Sequence, residues 1–391
     1  MSLIRLSRRL APAAVLVCAS LLLGGGSVVL GVCGPFTDFT DANFCSFVLE
    51  IFYLGITTGT TPTTYDPSAS VSRLQMAAFL SRTVDRTLQR GSRRAALKQF
   101  WDRANAATTT LGRTDLAIPY YVISDGVDLW TVASSSNVVQ RVRASDGRLL
   151  ETWTASSFGW DVLSAMGQIF VSGSSNPGRL YWINPTQPAG VVTTVASNLG
   201  NSPAGLAFDG SQIWTANTFG SVSIVTPGNS IPWSATTVTT GFSSMYGVLF
   251  DGAAVWATDQ GAGRLVKLDG NGAILQTVTV GASPRFPVFD GSNIWVPNAG
   301  SNSVTVVRAS TGSILATLTG NGLTVPITAA FDGERVLLTN FTGASVSLFK
   351  AASLEAAGSF NVGASSNPNG ACSDGIHFWI ALVGAGKLLR F

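Results

Sequence analysis

The chain has 391 residues, 46% of them hydrophobic and only 12% charged, with a formal net charge of +3. So small an imbalance, with its basic excess confined mostly to the stretch between Arg82 and Arg103, excludes a broad nucleic-acid-binding surface. The length exceeds one ordinary domain, and abundant Gly, Ser, Thr, Val and aromatic residues with few charges indicate an all-β protein of many short strands and turns.

Residues 1–31 open with Arg5, Arg8 and Arg9, continue as an apolar stretch from Leu10 to Leu23 and end in a Gly-rich, small-residue region. That is the order of a secretory signal, and cleavage after Gly31 would put Val29 and Gly31 at the small-residue positions that a signal peptidase reads. The alternative is an uncleaved anchor, since Leu10 to Val32 is long enough to cross a hydrocarbon core of roughly 30 Å. Glycines in its second half favour removal. The mature chain is therefore expected outside the cytoplasm, in the periplasm, at the cell surface or secreted, with any membrane contact made through this segment alone. Of the four cysteines, Cys18 lies in the apolar stretch. Cys33 and Cys45 are expected to form a disulfide in an oxidising compartment. Cys372 falls in an expected inner strand and reads as a small buried hydrophobe. Val32 argues against a lipobox at Cys33, and neither the cysteine spacing nor a neighbouring histidine supports a zinc site.

In residues 33–86, Phe44, Phe47, Val48, Ile51 and Leu54 recur at helical spacing, and Gly55 can supply a left-handed terminus, so a first helix is expected near Asn43 to Leu54. A second begins at Ser72, where Ser72 and Gln75 form a capping-box pattern and Val71 and Met76 occupy the staple positions. The opening FTDF, the LGITTGT turn, Tyr65 to Pro67 and VSRLQMAAFLSR together resemble one motif of the S-layer homology family. In that family the start of the second helix, usually Thr-Arg-Ala-Glu, contributes to binding pyruvylated cell-wall polysaccharide. Here it reads Ser72, Arg73, Leu74, Gln75, without the glutamate, so the resemblance carries over Arg73 as an anion ligand. A guanidinium at a helix N-terminus suits that role. One copy is found where strongly anchoring relatives usually use three, and the alternative is a small structural helical pair. Residues 87–106 lack a strand pattern and are basic, through Arg90, Arg93, Arg94, Lys98 and Arg103. They read as a linker or a short helix, solvated or in contact with an anionic envelope polymer.

From residue 107 to the end a unit of roughly forty residues repeats seven times. It reads ISDGVDLW, LSAMGQIF, AFDGSQIW, LFDGAAVW, VFDGSNIW, AFDGERVL and CSDGIHFW. Aligned on the residue before the turn glycine, the copies fall at Asp125, Met166, Asp209, Asp251, Asp290, Asp332 and Asp374. An Asp-Gly pair between apolar runs signals a hairpin with a primed turn, both central residues taking positive φ. Trp130, Phe170, Trp214, Trp256, Trp295, Leu337 and Trp379 follow on the second strand and are expected to pack between neighbouring units. A third strand and usually a fourth complete each copy, which is the content of a propeller blade. The last copy stops after three strands, so its fourth is expected from the N-terminal side, near Ala107 to Gly112. The expected fold is an all-β, seven-bladed β-propeller behind a small N-terminal α-helical segment. The repeats resemble the YVTN/NHL-like bacterial propellers, a superfamily that includes streptogramin lyases and, more remotely, lactonase-type propellers.

Little catalytic chemistry is legible. Streptogramin-lyase relatives use histidine and glutamate near the channel mouth, whereas the single histidine here, His377, follows the Asp374-Gly375 turn on the opposite face. No Ser-His-Asp set, GxGxxG or P-loop context is found, most propeller aspartates are consumed by turns, and no cofactor or metal is expected. Ligands of propellers usually bind where the innermost strands begin. Six residues before the alignment position stand Pro119, Trp160, Pro203, Met245, Pro284, Pro326 and Pro368, and five before stand Tyr120, Asp161, Ala204, Tyr246, Arg285, Ile327 and Asn369. The second set departs from repetition, which is where a shared scaffold acquires an asymmetric site. The loop after the second strand adds Asn217, Asp259, Asn298 and Asn340, residues also suited to turn hydrogen bonds. Trp160, Asp161, Tyr246, Asp259 and Arg285 thus form an expected mouth suited to a glycan or peptide. The favoured function is an exported cell-envelope binding or scaffold protein, whose partner is a cell-wall polysaccharide or envelope protein. The alternative is a propeller lyase or hydrolase acting on a small exported substrate, disfavoured by the scarcity of histidine and free carboxylates.

Overall fold

A computed structural model describes residues 35–38, 42–53, 56–80, 83, 109–111, 116–133, 135–144, 147–154, 159–190 and 192–391. The expected signal segment 1–31, Cys33, Gly55 and the basic segment 87–106 lie outside them. The chain divides into two compact units, 1–93 and 94–391. No described helix is long and apolar enough to cross a membrane.

In the first unit helix α1 spans Ala42–Tyr53. Its buried stripe runs through Cys45, Val48, Leu49 and Phe52 against Phe36 and Tyr65. Phe44 and Phe47, expected on that stripe, are instead 60% and 62% exposed. After the helix, Ile56 N donates to Ile51 O at 2.9 Å. The residues of the FTDF and Tyr65 to Pro67 motifs meet. The carboxylate of Asp38 accepts the Tyr65 N–H at 2.8 Å and the Asp66 N–H at 2.7 Å, and Phe36 packs edge-on against Phe52. Gly59 must be glycine, because a Cβ there would lie 2.6 Å from the Phe36 ring and 2.6 Å from Thr64 O. The second helix, α2, is described over 73–80 and opens with the expected capping box. Ser72 Oγ accepts the Gln75 N–H at 3.2 Å, and Gln75 Oε1 accepts the Ser72 N–H at 2.8 Å.

The second unit consists of seven four-stranded antiparallel sheets. In chain order the blades occupy 121–154, 159–199, 203–238, 245–279, 288–318, 326–361 and 368–390, each running from its innermost strand outward. Blade seven has three strands of its own. Its outermost strand is Thr109–Leu111, paired antiparallel with Lys387–Arg390 in the register Thr109↔Arg390, Thr110↔Leu389 and Leu111↔Leu388. The two ends of the propeller are thus joined by backbone hydrogen bonds and no edge is left open there.

Trp130, Trp214, Trp256, Trp295 and Trp379 are fully buried between blades, as are Phe170 and Leu337 at the equivalent positions. Each tryptophan is also tied to its own turn. The five indole Nε1 groups donate to Asp125, Asp209, Asp251, Asp290 and Asp374 Oδ2 at 2.7–2.8 Å. The same carboxylates accept two backbone N–H groups of the turn through Oδ1, as Asp251 does from Ala253 and Ala254. In blade six, where Leu337 replaces tryptophan, Arg335 Nε takes its place on Asp332 Oδ2. The turn geometry corrects the expectation. Only the glycine has positive φ, between 87° and 99°, in the first central position of a two-residue loop, while the aspartate precedes the loop. Blade two alone uses a loop with both central residues left-handed, Met166 (φ 54°) and Gly167 (φ 69°), closed by the pair Ala165↔Gln168. Ala165, not Met166, is therefore the counterpart of the turn aspartates.

Candidate functional site

That one-residue shift changes which side chains share a ring. Every inner strand except the first and fifth shows a register shift near its start, as between Gly159↔Gly173 and Val162↔Val171 in blade two, and between Met245↔Asp259 and Val248↔Ala257 in blade four. Two residues there oppose one on the second strand, a bulge that turns the inner backbone toward the channel. Gly159, Met245, Pro203, Pro326 and Pro368 occupy the position before the bulge. Trp160 thus aligns with Tyr120, Ala204, Tyr246, Arg285, Ile327 and Asn369, and Asp161 falls one layer deeper. Hydroxyls on alternate blades seat this ring: Ser172, Thr258 and Thr339 donate to the carbonyls of Ala204, Arg285 and Asn369 at 3.3, 2.8 and 2.7 Å. In blade five the second strand carries Pro297, which has no N–H for the ladder, and the inner strand is reduced to Val288–Phe289. Phe286 turns to blade six instead, donating its N–H to Ile327 O at 3.0 Å and accepting that of Ala329 at 3.1 Å. This places Arg285 at the ring.

Four ring side chains from different blades converge. Trp160 meets Tyr120 edge-on at 5.7 Å and, passing over the small Ala204, meets Tyr246 at 5.9 Å. The Arg285 guanidinium lies 4.2 Å from the centre of the Tyr246 ring. Burial pushes the Tyr120 hydroxyl above its ordinary pKa, with Tyr246 adding to the shift and the Arg285 charge opposing it. All four are half-buried, whereas Ala204, Ile327 and Asn369 are buried. Trp160, Tyr246 and Arg285 of the expected mouth are therefore neighbours, joined by Tyr120.

The two aspartates expected with them are elsewhere. Asp161 is buried, with Oδ1 accepting the Val162 N–H and Oδ2 accepting the Leu206 N–H of blade three, each at 2.8 Å. Burial raises its pKa to about 7, against the lowering effect of the Leu206 and Val162 bonds. It stands where blades three, four and seven carry Gly205, Gly247 and Gly370. At Gly247 a Cβ would lie 2.5 Å from Pro287 Cδ and 2.7 Å from Arg285 O, so the blade backbones are in contact. Asp161, Tyr121 and Phe286 instead help to line a cavity of about 200 Å³ below the ring, walled also by Leu206, Val248 and Ala371. Asp259 is fully buried inside blade four. Its oxygens accept the Ser243 and Ser244 N–H groups and pair with Arg264 at 2.9 Å. It replaces the Asn–Ser/Thr clasps that Asn217, Asn298 and Asn340 form in their blades. No acceptor of Asp259 is left for a ligand in the funnel.

Arg141, Arg264 and Arg335 are each paired with a carboxylate, and Arg285 has none among the described residues. Its Nε is buried without a hydrogen-bond partner. His377 is held at its turn, with Nδ1 3.6 Å from Asp374 Oδ2. Burial would raise the Asp374 pKa, but the bonds from His377, Trp379 and Ile376 hold it well below the usual carboxylate range. No group of three His, Cys, Asp or Glu side chains among the described residues is arranged to hold a metal. Cys45 is disulfide-bonded; Cys33, its expected partner, lies outside the described residues. Arg73 is exposed at the first turn of α2. Cys372 is a free thiol whose pKa burial raises strongly, as expected of an inert packing residue.

The fold defines a seven-bladed β-propeller. Among solved structures it is similar to a streptogramin B lyase, with a TM-score of 0.59, 14% identity and coverage of 72% of this chain and 95% of that one. It is also similar to a catalytically inactive histidine-to-alanine variant of virginiamycin B lyase from Staphylococcus aureus with quinupristin (TM-score 0.59, 17% identity, 72% and 97% covered). The WD40 propeller domain of Doa1 gives a TM-score of 0.60 at 12% identity, with 72% and 94% covered. At these identities the likeness establishes the fold alone. No protein-family profile matches the chain. No curated protein matches it.

Proposed function

We propose that the chain is an exported cell-envelope protein whose propeller binds a polar ligand at the ring formed by Tyr120, Trp160, Tyr246 and Arg285. The observation that carries this reading is the convergence of one cation and three aromatic side chains, from four blades, at a level where the repeat gives no mechanical reason for them. Aromatic walls with one oriented charge suit recognition of a ligand face rather than catalysis. The disulfide at Cys45 supports export, because such bonds persist in oxidising compartments. The Asp38 and Phe36 contacts to Tyr65 support an S-layer-homology-like arrangement of 33–86, and Arg73 at the start of α2 is the residue through which that unit would hold an anionic wall polymer. The lyase alternative draws on the fold likeness, but a relative inactivated by loss of one histidine finds no counterpart at this ring, where the nearest titratable groups are two tyrosines and an arginine.

Immobilised mature protein, incubated with envelope fractions and purified glycans, tests the reading. Wild type is expected to capture an envelope component that the Arg285→Ala/Tyr246→Ala double variant does not, at an unchanged melting temperature. Arg73→Ala is expected to weaken wall attachment and leave capture by the propeller intact. Equal capture by wild type and the double variant would reduce the ring to a solvent funnel.

A further inference from the structure

Resting on the ring as a binding surface, we infer that its ligand is an acidic sugar residue, a hexuronate at or near the end of a glycan, held by its carboxylate on Arg285. The guanidinium is the one half-buried charge of the ring and has no carboxylate partner among the described residues. Asp161 and Asp259, the acidic residues nearest in the repeat, have their oxygens committed to backbone N–H groups or to Arg264. The Tyr246 ring face stabilises the cation without neutralising it. Only Nε of this guanidinium is sealed without a partner. Its two Nη groups are not sealed and make no hydrogen bond among the described residues, and such a pair can donate to both oxygens of a carboxylate.

The rest of the ring decides what carries that carboxylate. Trp160 meets both Tyr120 and Tyr246, so the three rings form one continuous aromatic surface on which a ligand can rest. The cavity beneath, about 200 Å³, is smaller than the pockets that enclose whole ligands. A residue lying flat on partly exposed aromatic rings, with one charged substituent at its edge, matches this shape. A pyranose presents such an apolar face, and its 6-carboxylate projects from the ring edge. A peptide added to the ring as a further strand would need a row of unpaired backbone groups beside it. Here the inner-strand amides and carbonyls are engaged within or between blades, as at Arg285, Phe286 and Gly370.

Calorimetric titration of the full chain with a linear trigalacturonate, its carboxyl-reduced neutral counterpart and an acidic tripeptide tests the inference. The acidic sugar is expected to bind, the neutral one at least tenfold more weakly and the peptide not measurably. Arg285→Ala is expected to remove the preference for the acid, Arg285→Lys to restore only part of it, and Trp160→Ala to weaken both sugars alike. Equal affinity for the acidic and neutral sugars, both lost in Trp160→Ala, would overturn the carboxylate inference and leave the binding ring standing. Peptide binding as tight as the sugar's would overturn the choice of glycan. Binding of none of the three, or binding of the acid unchanged in both Arg285→Ala and Trp160→Ala, would overturn the inference together with the ring.

Discussion

Replacing Asp251 by Ala in blade four isolates the bond that couples each turn to its buried tryptophan. In the structure Asp251 Oδ2 accepts the Trp256 indole N–H at 2.8 Å, and Oδ1 accepts the Ala253 and Ala254 N–H groups at 2.8 and 2.7 Å. Trp256 is fully buried, so its N–H would lose a charged acceptor, a loss of about 2 kcal/mol. The two backbone N–H groups lie in an accessible turn where water replaces the carboxylate, adding about 1 kcal/mol. The single change is therefore expected to cost about 3 kcal/mol in all. In a Trp256→Phe background there is no indole N–H to orphan, and the same change is expected to cost only about 1 kcal/mol, a coupling of about 2 kcal/mol. Urea unfolding followed by circular dichroism, run on wild type, both single variants and the double variant, measures it. Additive effects, with coupling below about 0.5 kcal/mol, would refute the role assigned to the bond.

Three further outcomes are expected. Removing residues 1–112 takes away the strand Thr109–Leu111 and opens blade seven, so its melting temperature is expected to fall on the order of 5 °C or more below that of a chain lacking only residues 1–90. Asp161, with a folded pKa of about 7 above an unfolded value near 3.9, keeps its proton in the fold where the unfolded chain has lost it. Its contribution is thus present below about pH 4, falls away as pH rises to about 7 and is at most about 4 kcal/mol. The stability difference between wild type and Asp161→Asn should therefore change across pH 4–7, and a pH-independent difference would refute the assignment. Asp209 and Asp374 act with the opposite sign, because their lowered pKa values give stability above the ordinary aspartate pKa that is lost as pH falls. Alkylation of the native, unreduced protein is expected to label neither Cys33 nor Cys45, and labelling of both by mass spectrometry would refute the bridge.

Most of the fold was legible because the blade repeats what it needs mechanically. The turn glycines, the buried tryptophans, the missing fourth strand of the last blade and the Ser72–Gln75 cap all leave sequence marks at fixed spacing. The Asp–Trp bond left one too, five residues from acid to indole in five copies, yet that spacing reads equally as a turn followed by a core residue until the carboxylate is seen reaching inward. The site was read half correctly for a specific reason. In blade two a left-handed Met166-Gly167 loop replaces the Asp-Gly turn, and counting from the glycine slips one residue, giving Asp161 the ring position that Trp160 holds and setting Trp160 one position before it. Asp259 was misplaced because its blade exchanges an Asn–Ser clasp for an Asp–Arg pair, a change made in two residues five apart that only the fold brings together. Phe44 and Phe47 fit a helical period, but which of two overlapping stripes is buried depends on where Phe36 and Tyr65 dock.

The central claim, that the ring at the start of the inner strands is the binding surface, is tested most directly by hydroxyl-radical footprinting of the full chain with and without the captured envelope component. Trp160, Tyr120 and Tyr246 are expected to be protected several-fold, while the stacked Trp182 and Trp233 on outer parts of blades two and three, and Met166 at the hairpin turn, keep their reactivity. Protection of Trp182, Trp233 or Met166 with the three ring residues unchanged would contradict the account.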